Sequence, residues 1–525
     1  AVAGDAAARG APAGTVPGGA LDRALAGGGV GPGGVRGTAE DFERLLRDPA
    51  LRDARGYIIP ADQADFLTAA KFVDALLETG IAVHRATRSF SVSGREYPAG
   101  SFVVKSAQAF RPHVLDMFAP QDHPDDIPYP GGPPTPPYDN AGWTLAFQMG
   151  VEFDRILDGF DGPFERIEGL RAPRPAGRLD GSARAGWLLS HQVNDAFIAV
   201  NRLLRAGVEV YWLDEPVRGH PAGTFFVRNT GTAAAQVRAL ADELGLTFQG
   251  TGAVPAGEHR RLRPGRIALW DRYGGSMESG WTRWLLEQFD FGFDVVYPRQ
   301  LDAGDLRARY DVILLVNGSI PAEGRPQRVA ATPDTTTLPP ELRAMLGSFS
   351  PERTVPPLRA FLQEGGTIIA IGSGTGLARH LDLPIESALV EAQDGEMRPL
   401  ARAKYYVPGS VLEARLDTSH PLTHGMRERA DFLFDNSPVF RLRPGAAEAG
   451  LRPIAWFDTA APLRSGWAWG QHYLEGGVVA VAAEVGAGQL FLFGPEITFR
   501  AQPHGTFKLL FNALHLATGD RARLR

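Results

Sequence analysis

Apolar residues recur along this chain at two different periods. In GYIIPADQADFLTAAKFVDALLETGIAVHRA (56–86) a short apolar run leads into Phe66, Ala69, Ala70, Val73, Leu76 and Leu77 at three-to-four spacing, and then into a second short run. That order predicts strand, amphipathic helix, strand. It returns in GWLLSHQVNDAFIAVNRLLRAGVEVYWLD (186–214), where Phe197, Val200, Leu203 and Leu204 form the helix stripe. YPAGSFVV (97–104) and HPAGTFFV (220–227) extend the match, each placing a Pro-Ala-Gly turn ahead of a β-branched and aromatic run. Gly80 and Gly207 stand where each helix should stop. The pattern predicts a duplicated α/β domain over 51–255, with repeats at about 55–118 and 185–250.

The copies are separated by FAPQDHPDDIPYPGGPPTPPYDNAGWTLAFQMGVEFDRI (118–156). Its prolines forbid regular structure across 119–137, and a short helix is expected over Ala141–Gly150. A Pro-rich arm of this length (119–140) inside a compact domain either wraps other parts or contributes to a functional surface. Asp122, His123, Asp125 and Asp126 crowd into it. Oxygen-rich clusters of this kind can hold a hard cation. Without an EF-hand spacing they read first as a solvated loop whose aspartates begin turns.

From 263 to 520 the pattern alternates. RIALW (266–270), DVVYP (294–298), YDVILLV (310–316) and TIIAIG (367–372) are buried strands, separated by the helices expected over 278–292 and 356–366. Strands alternating with helix-length segments predict a doubly wound, mostly parallel, flavodoxin-like sheet whose ligands sit at the carboxyl ends of the strands. The run Gly476–Gly494 reads as two strands joined by a turn. In the helix over 278–292, Trp281 and Trp284 are expected to face the core beside Leu285.

Chemistry is sought along the carboxyl edge of that sheet. Gly372-Ser373-Gly374-Thr375-Gly376 follows a strand and opens a helix, but it fits neither G-x-G-x-x-G nor a Walker loop, and no G-x-S-x-G elbow surrounds Ser373. Arg283, Asn317, Ser373, Gly374, Thr375, Glu496, Arg500 and His504 are the candidate pocket residues. Arg283 would suit a carboxylate, and the backbone N–H groups of 372–376 an anion. Arg283 and Arg500 also suit salt bridging, and His504 suits capping the last helix. HYLE (472–475) has the H-x-x-E spacing of zinc peptidases. It sits in a turn entering an apolar strand with no evident third ligand, so no metal is assigned to it.

Two resemblances add to this reading. The 263–520 region resembles class I glutamine amidotransferase-like domains, in which a cysteine rides the elbow and a His-Pro-Glu follows a late strand. Here Gly494-Pro495-Glu496 occupies the His-Pro-Glu position and Ser373 the elbow, so the resemblance implies a degenerate domain with no catalytic residue to carry over. Over nearly all of 50–520, GYIIPADQADFLTAAKFVDALLETGIAVHRA, YPAGSFVVKSAQAFRPHVLDMFAPQDHPDD, PPYDNAGWTLAFQMGVEFDRI, DNSPVFRL (435–442) and FRAQPHGTFKLLFNAL resemble the region downstream of the catalytic domain in large secreted bacterial zinc carboxypeptidase-like proteins. That implies a secreted or periplasmic chain and a non-catalytic accessory or assembly role. Its partner would be a carboxypeptidase domain or a second copy, and its ligand a peptide or glycan. Zinc is implied only if a carboxypeptidase domain lies upstream. The open alternative is a hydrolase built on Ser373, Glu496 and His504.

Composition narrows the rest. A net charge of −6 gives no basic footprint for nucleic acid, and no apolar run is long enough for a membrane span. With no cysteine there is no disulfide, thiolate metal site or cysteine nucleophile. The Ala/Gly-rich start through residue 50, beginning at Ala1, reads as a linker or arm, as expected of a processed chain or the downstream part of a longer protein.

Overall fold

The computed structural model describes residues 40–524, apart from 41–42, 45–46, 50–51, 139–142 and 323–337. Most of the expected linker, and the first residues of the helix expected over Ala141–Gly150, lie outside these; what is seen of that helix is one turn, Leu145–Gln148. The chain divides into two compact units. One takes Ala1–Pro173, Arg402–Leu412 and Leu463–Gly470, and the other takes Arg174–Ala401, Glu413–Pro462 and Gln471–Arg525.

In the first unit, β1 (Gly56–Ile59), α1 (Phe66–Glu78), β2 (His84–Ala86) and β3 (Phe102–Lys105) realise the first copy of the repeat. The Asp65 carboxylate accepts from the Thr68 N–H at 3.1 Å and caps α1, and Gly80 ends it in the left-handed region at φ 87°. With β4 (Asp154–Ile156) and β5 (Phe164–Arg166) the sheet order is β4-β1-β3-β2-β5. Beneath it Tyr57 stacks on Phe118 at 4.3 Å, beside the buried Phe72 and Phe102. The Pro-rich arm is anchored by two later segments. Gln121 N–H donates to Ser465 Oγ at 3.0 Å, the Trp143 indole to Gly409 O at 2.7 Å, and the Trp467 indole to Asp125 Oδ1 at 2.7 Å. Asp125 is therefore a structural acceptor.

In the second unit, β6 (Arg178–Asp180), β7 (Gly186–Leu189), α2 (Ala196–Arg205), β8 (Val210–Trp212), β9 (Phe225–Arg228), β10 (Thr247–Thr251) and β11 (Glu258–Arg261) carry the second copy. The repeat extends to register. Ile59 lies opposite Phe102 and Gly56 opposite Lys105, while Leu189 lies opposite Phe225 and Gly186 opposite Arg228. In both copies the third strand inserts antiparallel between the first two. The two copies thus share their register as they share their apolar pattern.

The rest of the second unit is the doubly wound layer. Its elements are β12 (Ile267–Trp270), α3 (Met277–Gln288), β13 (Asp294–Val296), β14 (Val312–Leu315), α4 (Pro351–Gln363), β15 (Thr367–Ile371), β16 (Leu451–Trp456), β17 (Val478–Val485) and β18 (Gly488–Phe493). Five strands pair in parallel in the order β13-β12-β14-β15-β18, and β17 and β16 continue the sheet antiparallel. Counted from β12, that is the 2-1-3-4-5 order of flavodoxin-like domains. The fold is α/β, as the sequence predicts. The domain closes with α5 (Phe507–Leu516) and β19 (Asp520–Arg523).

Asp311 pins the start of β14. Its carboxylate, 2% exposed, receives Arg263, Arg266 and Arg307, each at 2.9 Å. Burial alone would raise its pKa, but the hydrogen bonds from Arg266 and Arg263 win and hold it far below the usual carboxylate range.

Two sequence expectations are corrected. Trp281 and Trp284 are 39% and 46% exposed, because α3 turns Ser279, Thr282, Leu285 and Leu286 inward instead. His504 is not the cap of α5; Thr506 holds that position, its hydroxyl donating to Ile497 O at 2.7 Å.

Candidate functional site at the carboxyl edge of the parallel sheet

β15 and β18 are neighbours, and Ile371 pairs with Phe493, so the glycine turn after one strand and Gly494-Pro495-Glu496 after the other emerge side by side. The residue that turns the chain is Gly372, at φ 58°. A Cβ there would sit 2.7 Å from Asn317. The strained position at which an elbow presents its nucleophile thus carries no side chain.

Ser373 is one residue further on, and its groups are committed. Its hydroxyl donates to Ile320 O at 2.7 Å and accepts from Gly318 N–H at 2.9 Å, while its own N–H donates to Asn317 Oδ1 at 3.0 Å. Gly374 packs against the carbonyl of Leu315, and the Thr375 hydroxyl donates to Gly372 O at 2.6 Å. The five residues 372–376 form a 3-10 turn fastened to the loop after β14.

Asn317 joins the two halves of the edge. Its amide oxygen takes the Ser373 N–H, and its amide nitrogen donates to Glu496 Oε1 at 2.7 Å. Burial pushes the Glu496 carboxyl up to about 7; the Glu278 and Asp435 carboxylates add to the rise, and the Asn317 hydrogen bond and Arg500 oppose it. Glu278 is itself held by the Ser276 hydroxyl at 2.8 Å. On the neighbouring strand end Asp271 is also raised, again chiefly by burial.

Gly494 shows why no histidine stands before Pro495. A Cβ at this position would come 2.0 Å from Pro438 O and 3.4 Å from Val479 O, so backbone fills the space an imidazole needs.

The other candidate residues have local partners of their own. Arg283 lies on the exposed side of α3, 3.8 Å from Glu287. Arg500 adopts φ 48° and lays its guanidinium 5.1 Å from the Phe499 ring centre. His504 packs its ring 4.6 Å from Phe507, and its carbonyl accepts from Asn194 at 3.0 Å. Among the acidic-loop residues, Asp122 bridges to Gly466 and the His123 ring faces Pro124 O at 3.0 Å. Asp126 accepts a backbone bond from Thr135 through its carbonyl. No group of three metal-ligating side chains is found among the described residues. His472 lies in the 3-10 turn Gln471–Leu474 ahead of β17, and Glu475 follows it.

A buried polar cluster in this unit escaped the sequence reading. His191, fully buried, faces Gly223 O at 2.5 Å through Nδ1 and Asn512 Oδ1 at 2.7 Å through Nε2. Asn512 donates to Leu422 O and His424 O, and the Trp212 indole donates to His424 Nδ1 at 3.0 Å. Burial lowers the His191 pKa to about 3. The neutral ring can then donate to only one of the two oxygens it faces. The one available signal was a difference between the copies: SHQVND where the first reads PADQAD.

No family model matches the chain, and neither does any curated protein. Solved structures that part of the chain matches include a β-galactosidase from Bacillus circulans sp. alkalophilus (12% identity, 55% of this chain and 35% of that chain, TM-score 0.29). They also include a ThuA-like protein from Bacteroides uniformis (9% identity, 51% of this chain and 95% of that one, TM-score 0.28) and PurLQS from Thermotoga maritima (13% identity, 48% and 99%, TM-score 0.27). The chain thus spans about a third of the galactosidase. At such TM-scores the likenesses carry no argument about chemistry; the flavodoxin-like assignment rests on strand order.

Proposed function

We propose that this chain is a non-catalytic accessory region, in which a duplicated α/β part precedes an amidotransferase-like domain that has lost its catalytic constellation. It would serve a secreted or periplasmic zinc carboxypeptidase-like protein, binding a peptide or glycan or joining a peptidase domain or a second copy. The observation that supports this most is the state of the Ser373 hydroxyl. Its proton goes to a backbone carbonyl, so no base is placed to take it. Gly372 at the turn and Gly494 against Pro438 add that neither nucleophile nor histidine fits where an amidotransferase-like site needs them.

The test is a panel on the purified chain. Elemental analysis is expected to find substoichiometric zinc, and peptides are expected to keep their C-terminal residues with or without chelator. Stoichiometric zinc with chelator-sensitive release of C-terminal residues would overturn the proposal.

One observation favours the hydrolase reading: a carboxyl raised to about 7 has the pKa of a general acid or base at neutral pH. Ester or amide hydrolysis abolished by both Ser373→Ala and Glu496→Gln would establish it.

A further inference from the structure

Nine large apolar side chains are exposed among the described residues, and five of them fall in two places. Met277, Trp281 and Trp284 form a stripe on the outer face of α3, and Tyr129 and Tyr138 belong to the Pro-rich arm. The two indoles stand nearly perpendicular, at 80°, with centroids 6.2 Å apart. Gly280, one turn from Met277 and Trp284, leaves open space where a side chain would project. α3 thus offers an open position at Gly280 bordered by Met277 and Trp284, with the Trp281 ring set edge-on against Trp284 and Arg283 on its flank.

The arm is pre-shaped at the other end. Gly132 N–H returns to Tyr129 O at 2.9 Å, with Pro130 and Gly131 between them and Gly131 at φ 76°, which is a type II turn. Thr135 N–H returns to Asp126 O at 2.8 Å and closes the loop. The Tyr129 ring lies so close to Gly132 that a Cβ there would meet it at 2.8 Å, and yet Tyr129 is 60% exposed. An aromatic-proline knob is therefore held rigidly outward. Rigid knobs lose little entropy on docking, and surfaces lined by exposed aromatic rings are an established receptor for proline-rich segments.

We propose that the Tyr129-Pro130 knob of one copy docks over Gly280 against the Trp284/Trp281 pair of a second copy, a site called the notch below, with Asp126 of the arm facing Arg283. This rests on the accessory reading and names its partner as another copy of the chain. The exposed stripe is three side chains wide, short of the roughly 800 Å² per partner of a stable flat dimer, which favours insertion of a knob over helix-on-helix pairing. Because knob and notch are different surfaces, the contact is head-to-tail and can propagate.

The experiment is sedimentation velocity of the full chain over a range of concentrations, with two double variants, W281A/W284A and Y129A/P130A. The wild type is expected to associate progressively. Each variant alone should associate at least about thirtyfold more weakly, the loss of one hot-spot contact. All four residues are exposed, so unfolding midpoints should not move. An equimolar mixture of the two variants retains one intact knob and one intact notch per pair, and should form a dimer and nothing larger. A wild type that stays monomeric throughout overturns the proposal. So does association lost in the tryptophan variant but kept in the arm variant, which would mean that α3 pairs with itself. None of these outcomes moves the zinc and peptidase readouts, so the two proposals fail separately.

Discussion

At the residue scale, Glu496 gives the sharpest physical handle. Folding raises its pKa from the ordinary glutamate range to about 7, so between those values the native state holds a proton that the unfolded chain releases. Stability therefore falls as pH rises through that window and levels off above it. Glu496→Gln keeps an acceptor for Asn317 and removes the charge. In urea titrations it should leave stability at pH 5 nearly unchanged and raise it at pH 8 by about 1–3 kcal/mol; an equal loss at both would show that the carboxylate is stabilising. Gly494→Ala is expected to cost roughly 2–4 kcal/mol by driving a methyl into Pro438 O, measured as a lowered urea midpoint. The Gly-Pro-Glu and the glycine turn could be read in the sequence because both are local. Asn317 bridging them could not, since its two partners lie 56 and 179 residues away.

At the element scale, α3 shows how periodicity can mislead. Two stripes share its spacing: Met277, Trp281, Trp284, Gln288 and Ser279, Thr282, Leu286, Phe289. The first is the more apolar, but the second faces inward, where the Thr282 and Thr498 hydroxyls approach to 3.4 Å. Trp284→Ala should then change stability by no more than about 0.5 kcal/mol, where a core tryptophan would cost roughly 3–5 kcal/mol; a urea melt decides between them. The Asp311 hub behaves oppositely. With its folded pKa depressed, its contribution is fully present above the unfolded pKa of an aspartate and declines from there as pH falls toward the far lower folded pKa. Asp311→Asn should destabilise by about 3–5 kcal/mol at pH 7 and by only about 1 kcal/mol less at pH 3, where the native carboxylate is still ionised, read from denaturant midpoints at the two pH values.

At the scale of the whole molecule, the repeat was legible as strand, helix, strand and turn because apolar spacing and turn glycines are local; which strands pair, and in which register, was not, since these strands are buried runs without alternation. Invisible in the sequence was that 402–412 and 463–470 return to the first unit. Those segments are short, and most of what ties them in runs through side chains: the Trp143 indole to Gly409 O, the Trp467 indole to the Asp125 carboxylate, and the Ser465 hydroxyl to Gln121 N–H and, at 2.8 Å, to the Thr144 hydroxyl, beside backbone bonds between Gly466 and Gln121 and His123. Val411 pairs with Ser465, so the two segments reinforce each other. A fragment ending at Pro173 keeps the β4-β1-β3-β2-β5 sheet and the Phe72–Phe118 core but loses every one of these partners. It leaves the Trp143 indole without its carbonyl and removes Val411 from its packing against Trp143 and Phe147, while the Thr144 hydroxyl keeps Ala119 O at 2.7 Å; the lost hydrogen bond is worth about 0.5–1.5 kcal/mol and the lost apolar burial about 1.5–3 kcal/mol. Such losses rival the stability of a small domain. The fragment 40–173 is expected to give a broad, weakly cooperative urea transition and a diminished near-ultraviolet dichroism signal. Adding back residues 402–412 and 463–470 through a short linker should restore both. A fragment that unfolds as sharply alone as with those segments would show that the sheet and the aromatic core already suffice, and that the returning strands only decorate them.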